Sequence, residues 1–256
     1  MTLEMRKVSK SFKSAQGLTP ALDSVDIAVE RGEFLCVIGP SGCGKSTLLN
    51  LFAGLERPDS GEIEEDGHTI TGPSPHRALM FQEAALFPWL TALDNVAFGL
   101  NAAGISKKER IAKASYYLAL TGLADFAGRY PHELSGGMRQ RVALARSLCI
   151  EPRVLLMDEP FGSLDAQTRD NLHEELQSIW EKTGKTIVFV THNVREAIIL
   201  VDRVLLLSVR PGTVRREFRF DIPRPRHFED SGIAEAAREI LFYLRDEVRL
   251  TLEGNE

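Results

Sequence analysis

Cysteine is scarce. Cys36, Cys43 and Cys149 are the three cysteines among 256 residues, too few and too scattered for a disulfide framework or a zinc site, so a reducing, cytoplasmic compartment is expected. Long apolar runs are missing as well. The strongest, around 34–38, 154–157, 187–190 and 204–207, have strand length, far short of the roughly 18 to 20 residues a membrane-spanning helix needs. No apolar stretch follows the N-terminal residues, so no secretory signal is expected. Basic charge is not in excess: 31 lysines and arginines stand against 36 aspartates and glutamates, a net charge of −5. That balance disfavours non-specific nucleic-acid binding, and no nucleic acid is expected as a partner. The histidines at 68, 76, 132, 173 and 227 show no metal-ligand spacing. Internal repeats and low-complexity segments are absent. What is present, 43% hydrophobic and 26% charged residues, is the composition of a globular chain of one large or two modest domains.

Residues 1–30 alternate short apolar and polar runs, as half-exposed antiparallel strands do. Residues 33–39 form a continuous apolar run ending at glycine, the pattern of a strand buried on both faces. Helical spacing follows over 46–53 and stops at Gly54. Residues 55–76 read as turns with short strands. From 91 to about 150 the periodicity is helical, with Leu93, Val96, Ala97 and Leu100 on one face, then Ile111, Ala114, Tyr117 and Leu118, then a helix over 139–150. Strand patterns resume at 153–158, 187–191 and 204–208, with a helix over 167–183. Buried parallel strands alternating with helices predict a doubly wound α/β core carrying a mostly helical insertion. After Pro223, an apolar stripe at Ile233, Ala237, Ile240, Leu244 and Val248 predicts a packed amphipathic helix.

Gly39, Pro40, Ser41, Gly42, Cys43, Gly44, Lys45 and Ser46, followed by Thr47, fit the phosphate-loop spacing G-x-x-x-x-G-K-[ST], with the strand before and the helix after that such a loop requires. The glycines let the backbone curl so that several N–H groups point at phosphate oxygens. The helix beginning near Lys45 adds its positive dipole end. Lys45 would place a point charge on the β- and γ-phosphates, and the Ser46 hydroxyl can ligate Mg²⁺. Cys43, near a helix N-terminus, is expected to favour thiolate, to react with thiol reagents and to be protected by ATP. A second candidate is Asp158-Glu159 at the end of an apolar strand. Asp158 suits the Mg²⁺ shell, and Glu159 can polarise an attacking water.

The run Leu134-Ser135-Gly136-Gly137-Met138-Arg139-Gln140-Arg141 resembles the signature sequence of ABC transporter ATPases, and the resemblance extends over almost the whole chain in the family's order. It implies a P-loop NTPase (RecA-like) core with an N-terminal antiparallel β subdomain and a helical signature subdomain. The ATPase domain would span 1–222, with the helical part at about 88–152, and 223–256 would form a C-terminal extension. It also implies further site residues. Phe12, which alone reads as a core aromatic, would stack on adenine. Gln82, in Phe81-Gln82-Glu83, would be the Q-loop glutamine, acting in catalysis and at the metal. Asp165, in Ser163-Leu164-Asp165, would belong to the D-loop. His192, which alone reads as a satisfied core histidine, would be the switch histidine at the γ-phosphate. Ser135, Gly136 and Gly137 would offer N–H groups to the γ-phosphate held by a second copy, in a head-to-tail dimer with two ATP molecules. Two positions depart from the family's commonest pattern: Met138 stands where glutamine is common, and Asn193 where aspartate is.

Residues 86–99, 131–135, 157–162 and 208–212 are similar to the nitrate, sulfonate and taurine importer branch. The branch implies ATP hydrolysis coupled to uptake of a small solute, with ATP and Mg²⁺ as cofactors. It implies two separate integral-membrane permease subunits, an extracytoplasmic solute-binding protein, and a peripheral place on the cytoplasmic face of the cell membrane. Residues 83–100 would dock a permease helix, with Phe87, Pro88 and Trp89 exposed for it or else packed internally. The six arginines between 210 and 226 read as a solvated edge strand in preference to a lipid-facing patch. The alternative is a non-transport ABC ATPase in a soluble complex, but no coiled-coil insertion, zinc module or tandem half is present. A P-loop GTPase would need an Asn-Lys-x-Asp string, which does not occur.

Overall fold

The computed structural model describes residues 3–253 except 15–16, 163, 221, 225 and 228–229; Ser163 and Asp221 therefore lie outside the described residues. The chain forms two compact units, one of residues 1–74 with 186–256 and one of residues 75–185.

In the first unit, β1 (Leu3–Ser14) and β2 (Gly17–Val29) pair antiparallel. β4 (Ser60–Glu65) joins the other edge of β1, and the short β5 (His68–Thr69) pairs with β4. The alternation in the sequence becomes a two-faced sheet: Leu3, Met5, Val25, Ile27, Val29 and Ile63 are buried, and the residues between them are more exposed. The continuous apolar runs behave differently, as expected for strands covered on both faces. β3 (Phe34–Ile38), β8 (Thr186–Val190) and β9 (Arg203–Leu207) are buried along their whole length. β3 lies between β8 and β9, parallel to both, and β10 (Val214–Arg219) pairs antiparallel on the outer side of β9. The helices of this unit are α1 (Lys45–Ala53), α6 (Val194–Leu200) and α7 (Ser231–Glu253). Gly54 closes α1 in the left-handed conformation, at φ 76°, where a Cβ would also stand 2.2 Å from the Gly72 carbonyl oxygen.

The arginines of 210–226 sit before, on and beyond edge strand β10, and most are engaged locally. Arg215 pairs with Glu247, Arg219 with Glu217 and Arg224 with Asp202, while Arg216 lies 3.9 Å above the Tyr243 ring. Arg226 is buried and donates to the carbonyls of Ile198, Val201 and Ile222, fastening the segment before α7 onto α6. On α7, Ile233, Ala237 and Ile240 face inward as the stripe predicts, and Leu244 is half-buried; the Val248 side chain lies outside the described residues.

In the second unit, β6 (Arg77–Met80) and β7 (Val154–Asp158) run parallel. α2 (Ala92–Ala102), α3 (Lys107–Leu120) and α4 (Gly136–Cys149) pack on one another around Val96, Ala114, Leu118 and Val142, and α5 (Ala166–Thr183) follows β7. Apolar spacing alone starts the helices at 139 and 167. They begin earlier because Ser135 and Asp165 are N-caps, their side chains accepting from the N–H groups of Met138 and Thr168.

Candidate functional site

In parallel α/β sheets, ligand-binding loops gather beyond the carboxyl ends of the strands. Three such ends lie side by side in the first unit. Val37 of β3 is in register with Val190 of β8, and Ile38 of β3 with Leu206 of β9. Segments 39–46, 191–193 and 208–213 therefore leave the sheet at one edge.

The first segment is the phosphate loop. Gly42 and Gly44 have φ of 77° and 100°, the left-handed region that only glycine enters without strain, and Gly44 leads directly into α1. A Cβ on Gly44 would stand 2.6 Å from Leu22 Cδ2 and 2.8 Å from the Ala21 oxygen, so β2 presses against the loop. Lys45 is only 8% exposed, and its Nζ donates to the carbonyls of Gly39 and Pro40, both at 3.0 Å. The ammonium is thus held against the loop backbone at the helix start. Ser46 is exposed and Thr47 half-buried.

Segment 208–213 braces this loop from outside. Arg210 Nε donates to the Gly42 carbonyl at 3.1 Å, and a Cβ on Gly212 would lie 2.1 Å from the Cys43 oxygen. Only glycine allows that approach. Within segment 191–193, the Thr191 hydroxyl donates to buried Glu196 and accepts from the Asn193 N–H, and Asn193 Oδ1 caps α6 by accepting from the Arg195 N–H. Asparagine therefore supplies the helix cap at a position where aspartate is common. His192, between these two, is exposed. Phe12 on β1 is 39% exposed, with Lys10 Nζ 5.4 Å from its ring centroid, so it is not a core aromatic.

In the second unit the carboxyl ends of β6 and β7 are neighbours, Met80 being in register with Met157. They emit Phe81-Gln82 and Asp158-Glu159. Glu159 has φ of 43°, a left-handed backbone that a non-glycine residue adopts at a cost and that often marks a functional position. A Cβ on Gly162 would lie 3.5 Å from Gln82 Nε2 and 3.8 Å from Glu159 Oε2, so both side chains border that glycine. At the start of α4, Ser135 is exposed, and a Cβ on Gly137 would stand 2.3 Å from Thr168 Cγ2. Glycine at 137 lets α4 and α5 approach closely while leaving its N–H in the first turn. Asp165, at the head of α5, has its carboxyl held below the usual carboxylate range by the Thr168 backbone N–H.

Residues 22–162 match the family described as ABC transporter. The chain belongs to the ABC transporter family.

Its relatives within that family include the nitrate import ATP-binding protein NrtD of Synechocystis sp., 47% identical over 100% of this chain and 97% of the relative. The taurine import ATP-binding protein TauB of Rhizobium johnstonii is 44% identical over 99% and 97%. Among solved structures, the ABC transporter cassette MJ0796, determined as a dimer bound to ADP and Pi, is 33% identical, with a TM-score of 0.75 over 89% of this chain and 100% of that one. The fold is accordingly the P-loop NTPase cassette, with the antiparallel β subdomain and the helical signature region that the sequence motifs imply.

Two features of this ABC cassette differ from, or go beyond, what its sequence announces. The first is Cys43. Proximity to a helix N-terminus and to Lys45 favours thiolate, but the side chain is buried, and burial outweighs both and pushes the thiol up. Cys36 is raised well above its ordinary value by burial, and Cys149 to about 11. The expectation of a reactive Cys43 is therefore corrected. A thiol-titration assay at pH 7 should find almost no fast-reacting thiol in the native chain and three after denaturation. Rapid labelling of Cys43 in the native chain would contradict its burial.

The second is the hold of α4 on the segment after β6. Gln140 Nε2 donates to the Gln82 carbonyl at 2.7 Å, and Arg146 donates to the carbonyls of Ala84 and Ala85, both at 2.8 Å. The Arg146 guanidinium also stands 5.9 Å from the Phe87 ring centroid. Nothing local in the sequence marks Gln140 and Arg146 for this task; the one signal is their place on the signature helix.

Proposed function

We propose that this chain is the ATP-binding and ATP-hydrolysing subunit of an importer that takes up a small solute of the nitrate, sulfonate or taurine kind through separate permease subunits. The observation that carries the ATPase reading is the phosphate loop at the carboxyl end of β3, with Lys45 held against its backbone. Full-length likeness to nitrate and taurine import proteins supports the solute class.

In this reading the loop N–H groups and Lys45 bind the β- and γ-phosphates, and Phe12 offers its exposed face to adenine. Glu159 takes a proton from the attacking water, Gln82 positions that water, and His192 hydrogen-bonds the γ-phosphate. Asp165 joins the site from the head of α5. Mg²⁺ would be held by Ser46, Asp158 and Gln82, hard oxygen donors from a hydroxyl, a carboxylate and an amide. Such a sparse set suits an ion that keeps several waters and takes phosphate oxygens; when bound, it neutralises charge on the phosphates.

Two copies would pack head to tail, Ser135, Gly136 and Gly137 of one copy meeting the γ-phosphate held by the other; that a similar cassette is dimeric supports the pairing of two copies. Docking of a permease helix is assigned to residues 83–100. Trp89 is 71% exposed, with its ring centroid 5.6 Å from that of Phe87, which in turn meets Phe98 at a tilt with ring centroids 4.3 Å apart. Asn95, fully buried, accepts from the Phe87 N–H and donates to the carbonyls of Phe87, Leu90 and Thr91, fixing the loop that carries Trp89. No helix among the described residues is long and apolar enough to cross a membrane, and a peripheral place on the cytoplasmic face fits the permease partnership.

The purified chain should release phosphate from Mg·ATP. A strain lacking it should fail to grow when nitrate, taurine or an alkanesulfonate is the sole nitrogen or sulfur source, for one of the three. Phosphate release without a growth defect on any of them would keep the ATPase and refute the solute class.

A further inference from the structure

Helix α7 buries Ile233, Ala237 and Ile240 and turns a second stripe outward. That stripe holds Glu235, Arg238, Glu239, Leu241, Phe242, Arg245, Asp246 and Arg249, with Phe242 at 68% exposure. Residues 235, 238, 242, 245 and 249 follow the three-and-four spacing of a helix–helix seam. Arg238, Leu241, Phe242, Arg245, Asp246 and Arg249 line a shallow groove of about 430 Å³.

The order of charges along the stripe is self-complementary. In an antiparallel pair of identical helices with the two-fold axis at Phe242, residues equally far before and after Phe242 face each other. Arg238 then meets Asp246, and Glu239 meets Arg245; further out, Glu235 stands opposite Arg249. Each of these facings joins opposite charges. A parallel pair would set every charge against its own kind. Because three acids balance three arginines, the stripe also has no net attraction for an anionic lipid surface or a polyanion.

We propose that the outer face of α7 is a contact between two copies of this chain, packed antiparallel with Phe242 on the two-fold axis. The contact is independent of nucleotide. A single helix pair buries less than the roughly 1,200 Å² of a standard stable interface, and solvent-exposed ion pairs contribute little to stability. It is therefore a weak contact, effective at high local concentration, and its strength falls as salt rises.

The test is cross-linking of the full chain without nucleotide. The three native cysteines are buried, so Phe242→Cys supplies the reactive thiol. Under mild oxidant it should form a covalent dimer, since only a site near the axis brings two copies of one residue within disulfide reach. Adding Asp246→Arg, which sets the new guanidinium against Arg238 of the other copy, should cut the yield about tenfold, and Arg238→Asp added to that chain should restore it. ATP binding and circular dichroism, unchanged in all three, establish that each variant is folded. Complete maleimide labelling of the Phe242→Cys thiol without any covalent dimer would overturn the proposal. Equal yields from the charge-clash and charge-swapped chains would do the same. Sedimentation with phosphatidylglycerol vesicles in place of self-cross-linking would assign the face to lipid and also overturn it.

Discussion

Glu159→Gln should lower Mg·ATP hydrolysis by about 10² to 10⁴-fold, the usual contribution of a general base, while ATP binding survives. Glutamine keeps the size and one acceptor of glutamate but cannot take a proton from water. The binding groups, Lys45 and the loop amides, belong to the other compact unit and keep their bonds to the Gly39 and Pro40 carbonyls. The backbone at Glu159, with φ of 43°, is no more strained for glutamine than for glutamate, so the fold should be unchanged. Phosphate release and equilibrium ATP binding, measured on the same preparation, separate the two effects. Because the uncleaved nucleotide persists, the variant should also run as a dimer on a sizing column with ATP and mainly as a monomer without it, by mass action. Turnover at the wild-type rate would remove Glu159 from the chemistry. A dimer that also withstands Ser135→Arg would refute the head-to-tail arrangement.

Lys45→Ala should abolish turnover and weaken ATP binding by about 10²-fold. A charge-assisted hydrogen bond contributes about 1.5–3 kcal/mol, and a factor of ten in affinity corresponds to about 1.4 kcal/mol, so two phosphate contacts suffice for that loss. Lys45 is the loop's only cationic side chain, and its ammonium is already positioned by two backbone carbonyls rather than waving in solvent. Alanine also leaves those carbonyls without their donor, so a modest fall in melting temperature should accompany the loss. Binding by fluorescent-nucleotide titration and melting by calorimetry check the two parts. Wild-type affinity in a folded Lys45→Ala chain would place the phosphates elsewhere.

The parts of this molecule legible in sequence are those with short-range causes. Continuous apolar runs become fully buried parallel strands because both faces are covered, and alternation in the first thirty residues becomes a two-faced sheet. Gly42, Gly44 and Lys45 are readable because the turn and the helix start that need them lie within a few residues. What escapes the sequence is long-range. Gly212 is one glycine among 20 until its backbone is seen against Cys43, well over a hundred residues earlier. The thiol of Cys43 is misjudged from local position because its burial, at 1% exposure, belongs to the folded loop, where a Cβ on Gly39 would meet both Cys43 Sγ and Leu207 of β9. Phe12 looks like core by residue type, and only the sheet's facing leaves it exposed. Gln140 and Arg146 become meaningful once the segment after β6 is seen under α4.

That last arrangement has a mechanical consequence. Helix α4 spans 14 residues, about 21 Å at 1.5 Å per residue. It carries Ser135 at one end, and through Gln140 and Arg146 it grips residues 82, 84 and 85 along its shaft. A hydrogen-bonded rod of this length bends little, so a push delivered near Trp89 cannot be absorbed locally. Displacement of residues 82–85 is therefore expected to reach Ser135 as a shift of α4 as a whole, scaled by the distance between grip and tip. Loosening the grip, as Arg146→Ala would, lets the handle move without the tip.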